Sequence, residues 1–146
     1  MNKSTPTLSG LNIVVKDMEA SIEFYRVLGI DIPEGIVWRT ETGAHHVDVP
    51  MDNGMGFDLD SHELAKSYNA GWNDSAPGCV IGFRVQSRDA VDDHYRDLTN
   101  AGYVGLQAPY DTFWGARYAI VRDPDGNHVG IMSPAEASRR SVPPNV

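Results

Sequence analysis

The sequence has a single cysteine, no long apolar run and few positive charges. One cysteine, Cys79, excludes an internal disulfide and is typical of proteins from a reducing compartment. A membrane-spanning helix needs about 20 consecutive apolar residues, and the sequence contains no such stretch. The first residues also lack the apolar segment of a signal peptide. We therefore expect a cytoplasmic protein with no membrane partner.

Positive charge is also scarce, since 12 Lys and Arg stand against 20 Asp and Glu, for a net charge of −8. Nucleic-acid binding needs clustered Lys and Arg to neutralise phosphates, so we expect no nucleic-acid partner. The excess of acid favours neutral or cationic small molecules. A phosphate-binding loop, a dinucleotide fingerprint and an arrangement of Ser, His and Asp typical of hydrolases are missing as well.

The chain does contain an internal repeat with an offset of 70 residues. Residues 12–28 align with residues 82–98, and the alignment places Val15 over Val85, Tyr25 over Tyr95 and Leu28 over Leu98. In each copy a short apolar strand precedes a helix-capping residue and an apolar stripe at helical spacing, and a glycine then ends the helix. The caps are Asp17 and Ser87, and the glycines are Gly29 and Gly102.

Each predicted helix is followed by strands that form a hairpin. The first hairpin joins 45–49 to 56–60 through a turn at 52–54, and the second joins 117–121 to 128–132 through a turn at 123–126. The sequence thus indicates one domain over 1–146. Its half-repeats cover about 8–60 and 79–134, with a linker at 61–78 that holds a short helix around 63–68, and tails at 1–7 and 135–146.

We predict an α+β fold in which two βαβββ half-repeats form one curved mixed sheet around a cavity, with the helices outside. Because successive strand residues point to opposite faces, the concave face can be identified. Apolar side chains of each strand, such as Ile13 and Leu59, are expected to meet the helices, and the polar side chains between them are expected to face the cavity.

Two phrases of the sequence carry a family resemblance. Residues 24–29 read Phe-Tyr-Arg-Val-Leu-Gly, and residues 114–127 end in Asp-Pro-Asp-Gly-Asn. In combination they resemble the vicinal oxygen chelate superfamily, which includes glyoxalase, bleomycin-resistance proteins and extradiol dioxygenases. The likeness covers about residues 8–134. Metal-dependent members of that superfamily bind one divalent ion through four side chains, from the first and last strands of each half.

Carried over to this sequence, the resemblance places those four positions at Asn12, Asp58, Gly82 and Gly130. Glycine has no side chain to offer a metal, so we predict neither a metal at that place nor any other cofactor. One alternative stays open, in which His46 and His128 join Asp58 in a non-standard metal site.

The predicted ligand cavity combines carboxylates with an arginine, histidines and aromatic side chains. Its predicted members are Asn12, His46, Asp48, Asp58, Arg84, Trp114, Tyr118, His128 and Met132. Trp38, Trp72 and Phe113 are further candidates for its walls and rim.

These residues favour two functions. The first is a metal-free, homodimeric protein that binds and sequesters an aromatic or cationic small molecule, as in antibiotic resistance. The second is an enzyme of lyase, isomerase or dioxygenase type, with a non-standard metal site or an acid–base carboxylate. The sequence assigns no catalytic residue.

Overall fold

Two βαβββ units follow each other along the chain in the computed structural model, which describes residues 5–28, 30–73, 75, 78–122 and 126–146. The first unit consists of β1 (Thr7–Val15), α1 (Met18–Leu28), β2 (Val37–Thr40), β3 (Gly43–Pro50) and β4 (Gly56–Ser61). A linking helix, α2 (His62–Tyr68), follows. The second unit consists of β5 (Cys79–Arg84), α3 (Arg88–Asn100), β6 (Gly105–Asp111), β7 (Arg117–Arg122) and β8 (His128–Met132).

All eight strands belong to one mixed, unclosed sheet in the order β2-β3-β4-β1-β5-β8-β7-β6. The first and last strands of each unit pair in parallel, β1 with β4 and β5 with β8. The two units join in the middle, where β1 pairs antiparallel with β5. The predicted α+β fold is confirmed, and the first strand of each unit lies at the centre of the sheet.

The predicted helix signals can be checked at three positions. The Asp17 carboxylate accepts a hydrogen bond from the Ala20 N–H (3.0 Å), and Ser87 Oγ accepts one from the Ala90 N–H (3.1 Å). After α3, Gly102 has φ +98°, a conformation that glycine adopts without steric cost. These signals are confirmed, whereas Gly29 and the predicted turn at 123–125 lie outside the described residues.

Helices α1 and α3 cover the convex face of the sheet, as the strand alternation predicts. Met18 and Ile22 of α1 pack with Val47 and Leu59 in one buried cluster. The corresponding cluster under α3 contains Ala90 and Val91 together with Ala119, Val121 and Ile131. Each unit therefore has its own core on the outer side of the sheet.

The linking helix α2 lies instead on the concave face, at one end of it. Ser61 Oγ caps this helix by accepting a hydrogen bond from the Leu64 N–H (3.1 Å). Leu64, Ala65 and Tyr68 then pack with Val14 and Ile120 of the sheet. Within the described part of the chain no helix is long and apolar enough to span a membrane. The other end of the concave face stays open as a cavity.

Candidate functional site

A cavity of about 560 Å³ occupies the concave face. The four central strands β4, β1, β5 and β8 form its floor, with β2 and β3 on one side and β7 and residues 113–114 on the other. Eight of the nine predicted site residues line it, namely Asn12, His46, Asp48, Asp58, Arg84, Trp114, Tyr118 and Met132. The structure therefore brings these side chains around one space, and their binding of a ligand stays a prediction.

His128 does not line this cavity, which corrects its predicted position. It shares a face of β8 with Gly130, but Asn69 and Trp72, which follow α2, cover that end of the strand. The His128 ring is buried, with Nδ1 at 3.0 Å from Asn69 Nδ2 and the Trp72 ring centroid at 5.9 Å. Burial lowers the pKa of His128, and the charge of Arg122 lowers it further. Trp72 is buried in the same place and does not line the cavity either.

The cavity floor is a row of four glycines on four adjacent strands. Gly56 of β4 pairs with Gly10 of β1, Gly10 pairs with Gly82 of β5, and Gly82 pairs with Gly130 of β8. All four line the cavity. A Cβ atom on Gly10 would lie 2.7 Å from the Gly56 carbonyl oxygen, and one on Gly130 would lie 2.7 Å from the Tyr118 hydroxyl. The floor is thus bare backbone, and at Gly10 and Gly130 the close packing leaves no room for a side chain.

Only two of the four positions that the resemblance implies belong to this row. Gly82 and Gly130 lie in it, whereas Asn12 and Asp58 pair with each other two residues farther along β1 and β4. The Asn12 side chain is engaged within the protein, where Nδ2 donates to Asp60 Oδ2 (2.8 Å) and to the Tyr68 hydroxyl oxygen (3.1 Å).

The residues present therefore do not fit the metal site that the resemblance implies. A catalytic metal site needs about three protein ligands. The glycine row has no side-chain donors, and Asn12 is hydrogen-bonded to Asp60. Among the described residues no three His, Cys, Asp or Glu side chains are grouped so as to hold a metal ion. The alternative site built from His46, His128 and Asp58 is not assembled, because His128 lies outside the cavity.

We predict that Gly10→Ala destabilises the protein by about 1–3 kcal/mol, the usual cost of forcing an extra methyl group into a packed site. The new Cβ would clash with backbone of β4, which has little freedom to move. Gly35→Ala is the matched control, because a Cβ there meets nothing within 4 Å. Urea denaturation measures both variants. Equal stabilities would show that the close approach of β1 to β4 is unimportant.

On the wall beside the floor, the buried carboxylate of Asp60 is the centre of a hydrogen-bond network. Its Oδ1 lies 2.5 Å from His46 Nδ1, and its Oδ2 accepts hydrogen bonds from the Tyr68 hydroxyl (2.8 Å) and from Asn12 Nδ2 (2.8 Å). Burial lowers the pKa of His46, but the hydrogen bond and the charge of Asp60 outweigh it, and the pKa is raised above its ordinary value. Asp60 is thus fully engaged inside the protein.

Asp58 differs from Asp60, because it faces another carboxylate. It pairs across β3 and β4 with the exposed Asp48. Burial raises the pKa of Asp58 to about 8, and the nearby charges of Asp48 and Asp60 contribute, against a lowering by His46. The Asp58 Oδ1 atom is buried and has no hydrogen-bond partner among the described residues. The wall therefore carries two adjacent carboxyl groups, of which Asp58 has a raised pKa and a buried oxygen atom with no hydrogen-bond partner among the described residues.

Aromatic rings form the rest of the enclosure. Trp38 of β2 and Phe113 of the β6–β7 loop meet across the cavity, with ring centroids 6.3 Å apart. The Trp114 indole N–H points to the Met132 sulfur (3.3 Å), and its ring lies 5.7 Å from the Tyr118 ring. Tyr68 of α2 completes the cluster at 6.2 Å from Tyr118. These contacts join both walls, so the cavity is lined by rigid apolar surfaces.

The segment after β8, for which the sequence indicates a tail, also borders the cavity. Ala135, Arg140 and Pro143 line it. The Ser141 N–H donates to the Phe113 carbonyl (2.9 Å), and at the far end the Thr40 and Thr42 hydroxyls both donate to the Val146 carbonyl (3.0 Å each). The segment thus bridges the β6–β7 loop and the β2–β3 hairpin. Its sequence has no periodicity that would have placed Arg140 in the site.

Comparison with known proteins agrees with this architecture. The sequence of residues 7–131 matches the family model of the Glyoxalase/Bleomycin resistance protein/Dioxygenase superfamily. The chain is 32% identical over 136 residues to the Pseudomonas aeruginosa protein PA2024, and the match covers 86% of each chain.

Solved structures share the fold. One is described as an NAD-dependent benzaldehyde dehydrogenase from Legionella pneumophila (TM-score 0.59, 22% identity, 85% of this chain and 96% of that one). Another is methylmalonyl-CoA epimerase from Mycobacterium tuberculosis (TM-score 0.58, 16% identity, 88% of each chain). At these identities the likeness shows the fold alone, whereas the family match spans most of the chain and confirms the resemblance of the sequence motifs. The protein therefore belongs to the Glyoxalase/Bleomycin resistance protein/Dioxygenase superfamily.

Proposed function

We propose that this protein is a cytoplasmic, metal-independent small-molecule-binding member of the superfamily, and that it sequesters an aromatic or cationic compound in its cavity. The glycine row carries the proposal. Two of its members, Gly82 and Gly130, stand at positions where the resemblance places side-chain ligands of a metal, and the row offers backbone there instead. Sequestration of this kind would remove a toxic compound, such as an antibiotic, from solution.

The walls support a flat ligand. A planar molecule lying on the glycine floor would contact Trp114, Tyr118 and Phe113 with its faces or edges. Buried aromatic contacts contribute about 0.5–1.5 kcal/mol each beyond the area they cover. A cavity of about 560 Å³ is in the usual range for sites that bind small molecules. Size and lining therefore agree with an aromatic guest.

The carboxyl groups support a cationic or hydrogen-bond-donating substituent on that guest. Asp48 is exposed toward the cavity, and Asp58 presents an oxygen atom without a partner. Asp60, by contrast, already accepts hydrogen bonds from Tyr68 and Asn12 and lies 2.5 Å from His46. A positively charged group would gain most beside Asp48, because a cleft of low dielectric strengthens its attraction to a carboxylate. Its charge would also lower the raised pKa of Asp58, so that the Asp58 carboxyl group would ionise on binding.

Calorimetry with two flat probes tests the proposal. We expect 9-aminoacridine, an aromatic cation, to bind more tightly than the uncharged acridone. Trp114→Ala should weaken the binding of both probes about tenfold, since it removes an aromatic contact and opens the wall. Asp58→Asn should weaken the binding of the cationic probe only. Tyr103→Ala, which removes an exposed ring outside the cavity, is the control. Affinities that no cavity variant changes would place any binding elsewhere.

Metal independence has its own test. The protein is purified after growth with added zinc, manganese, nickel or iron, and its metal content is measured by elemental analysis. We expect well below one metal ion per chain, and probe binding that EDTA leaves unchanged. A stoichiometric ion that is lost together with probe binding on chelation would contradict the proposal.

Asp58 favours a second candidate function, proton transfer within a bound substrate. A carboxyl group with a pKa raised to about 8 can give or accept a proton near neutral pH, which is the property required of a general acid or base. The alternative would be an enzyme of isomerase or lyase type. Exchange of substrate C–H hydrogen with deuterated solvent, followed by NMR, would reveal it, and Asp58→Asn would abolish the exchange without abolishing binding.

We further propose that the protein is a homodimer. Phe24 and Val27 of α1 are 62% and 78% exposed, and Leu8 and Leu11 of β1 are also exposed. The two edge strands β2 and β6 of the sheet present further pairing surface. Sedimentation equilibrium at micromolar concentration should give twice the chain mass of 16.0 kDa. Phe24→Ser should shift the protein toward the monomer, and a wild-type mass of one chain would refute the dimer.

A further inference from the structure

Two arginines at the cavity have no side-chain partner among the residues that the structure describes. Arg84, at the end of β5, and Arg140, in the segment after β8, both line the cavity. Neither guanidinium forms a hydrogen bond or ion pair with any residue that the structure describes. Both side chains are exposed at the mouth, where a guest could reach them.

The lack of a partner sets the two cavity arginines apart from most other arginines of the protein. Within the described residues, six arginines outside the cavity contact carboxylates: Arg26 and Arg39 contact Glu34, Arg88 contacts Asp111, Arg96 contacts Asp93, Arg117 contacts Asp92, and Arg139 contacts Glu136. The chain has 20 acidic against 12 basic residues, so carboxylates are in excess. The two cavity arginines nevertheless have no carboxylate partner in the described part of the chain.

Each arginine adjoins a residue next to Trp114. Arg84 pairs across β5 and β8 with Met132, whose sulfur accepts the Trp114 N–H. The Arg140 side chain packs beside Gly115, the next residue after Trp114. Two positive groups therefore border one end of the aromatic wall, and a carboxylate or another planar anion suits the forked geometry of guanidinium donors.

The acidic residues lie at a different place along the strands. Asp48, Asp58 and Asn12 are in register with Val80 of β5. Arg84 is four residues beyond Val80, a distance of about 13 Å along the strand. Long side chains shorten the gap between the charged groups, but the two ends stay separate. Burial and the charges of His46, Asp48 and Asp60 set the pKa of Asp58.

We propose that the cavity is bipolar and takes an amphoteric ligand: an elongated aromatic compound with an anionic group at Arg84 and Arg140 and a cationic group at Asp48 and Asp58. This deepens the proposed function and rests on it. The aromatic body would lie between the two ends, over the glycine floor and against Trp114. A simple aromatic cation would fill only half of the site.

Four biphenyl probes separate the contributions of the two ends. They are 4′-(aminomethyl)biphenyl-4-carboxylic acid, which has both charges, 4-phenylbenzylamine, biphenyl-4-carboxylic acid, and the uncharged 4-phenylbenzyl alcohol. Each is titrated by calorimetry into the full-length protein. We expect the amphoteric probe to bind about tenfold or more tightly than either singly charged probe, as two charge-assisted contacts would give.

Substitutions at each end of the cavity then test which charged group of the probe binds there. Arg84→Gln should weaken the binding of the amphoteric probe and of the acid at least threefold, the scale of a partly exposed ion pair. The affinity for the amine should not change. Asp48→Asn should weaken the binding of the amphoteric probe and of the amine, and the affinity for the acid should not change. Arg96→Gln, which removes an exposed charge from α3 away from the cavity, is the matched control and should change nothing.

The outcomes distinguish the two proposals. In one outcome Trp114→Ala weakens the binding of the amine and the alcohol, the acid binds no more tightly than the alcohol, and Arg84→Gln changes no affinity. That outcome overturns the bipolar site and leaves the aromatic cavity supported. If none of the four probes binds, and the acridine probes also fail, the proposed function itself is overturned.

Discussion

Replacing Asp60 with alanine is expected to lower the free energy of unfolding by about 3–5 kcal/mol, the range found when one partner of a buried charged pair is removed. Three donors lose their acceptor at once, since His46, Tyr68 and Asn12 all bind this carboxylate. The Asp60 side chain is only 3% exposed, so water cannot replace it without rearrangement. The cost therefore comes from buried polar groups left unsatisfied.

Urea denaturation at pH 6 and pH 9 measures this effect and its pH dependence. Because the pKa of His46 is raised in the folded state, the ion pair stabilises the protein fully below pH about 6.5. That stabilisation is lost as the pH rises through the folded-state value of His46. The difference between wild type and Asp60→Ala should thus be larger at pH 6. Asp52→Ala, in an exposed turn, is the control, and a loss no larger than that of the control would contradict the network.

The repeat and the central strands were predictable from sequence, because they depend on local signals. Capping residues such as Asp17 and Ser87 mark the helix starts, and strict alternation along β4 and β8 marks the faces of the sheet. Strands β2 and β6 were not placed by their sequences. Strand β2 has only four residues, and β6 contains Pro109, which cannot donate to a strand neighbour. Both are edge strands, held by β3 and β7 more than by their own pattern.

Most cavity residues were predictable for the same reason, since strand alternation fixes which way a side chain points. The errors arise where another segment covers the face. His128 has the predicted orientation, but Asn69 and Trp72 bury it. Arg140 and Pro143 were missed because an irregular segment has no periodicity to show where it packs. Register was the third unknown, and it decides that Gly10 lies beside Gly82 and that Asn12 lies beside Val80.

Asp58→Asn is expected to stabilise the protein at neutral and alkaline pH, although it alters a proposed binding residue. Burial, with the charges of Asp48 and Asp60, raises the pKa of Asp58 from 3.8 to about 8. Below pH about 4 the carboxyl group is protonated in both the folded and the unfolded states, so its ionisation has no effect on stability. Between the two pKa values the unfolded state releases the proton and the folded state keeps it. The free energy of unfolding then falls by up to about 1.4 kcal/mol per pH unit.

Asparagine has nearly the same shape as aspartate but does not titrate, so the free energy of unfolding of the variant does not fall with pH for this reason. We expect equal stabilities near pH 4 and a variant more stable by about 2–4 kcal/mol at pH 8, where the difference levels off. This expected difference is smaller than the pKa shift of Asp58 alone would give, because the buried asparagine amide must also be hydrogen-bonded. Urea denaturation at several pH values measures the difference, and Asp52→Asn, at an exposed carboxylate, should show no trend. A difference independent of pH would mean that Asp58 titrates normally. A stabilised variant that binds the cationic probe less tightly would show that the carboxyl group is retained for binding at the expense of stability, as expected for a functional residue.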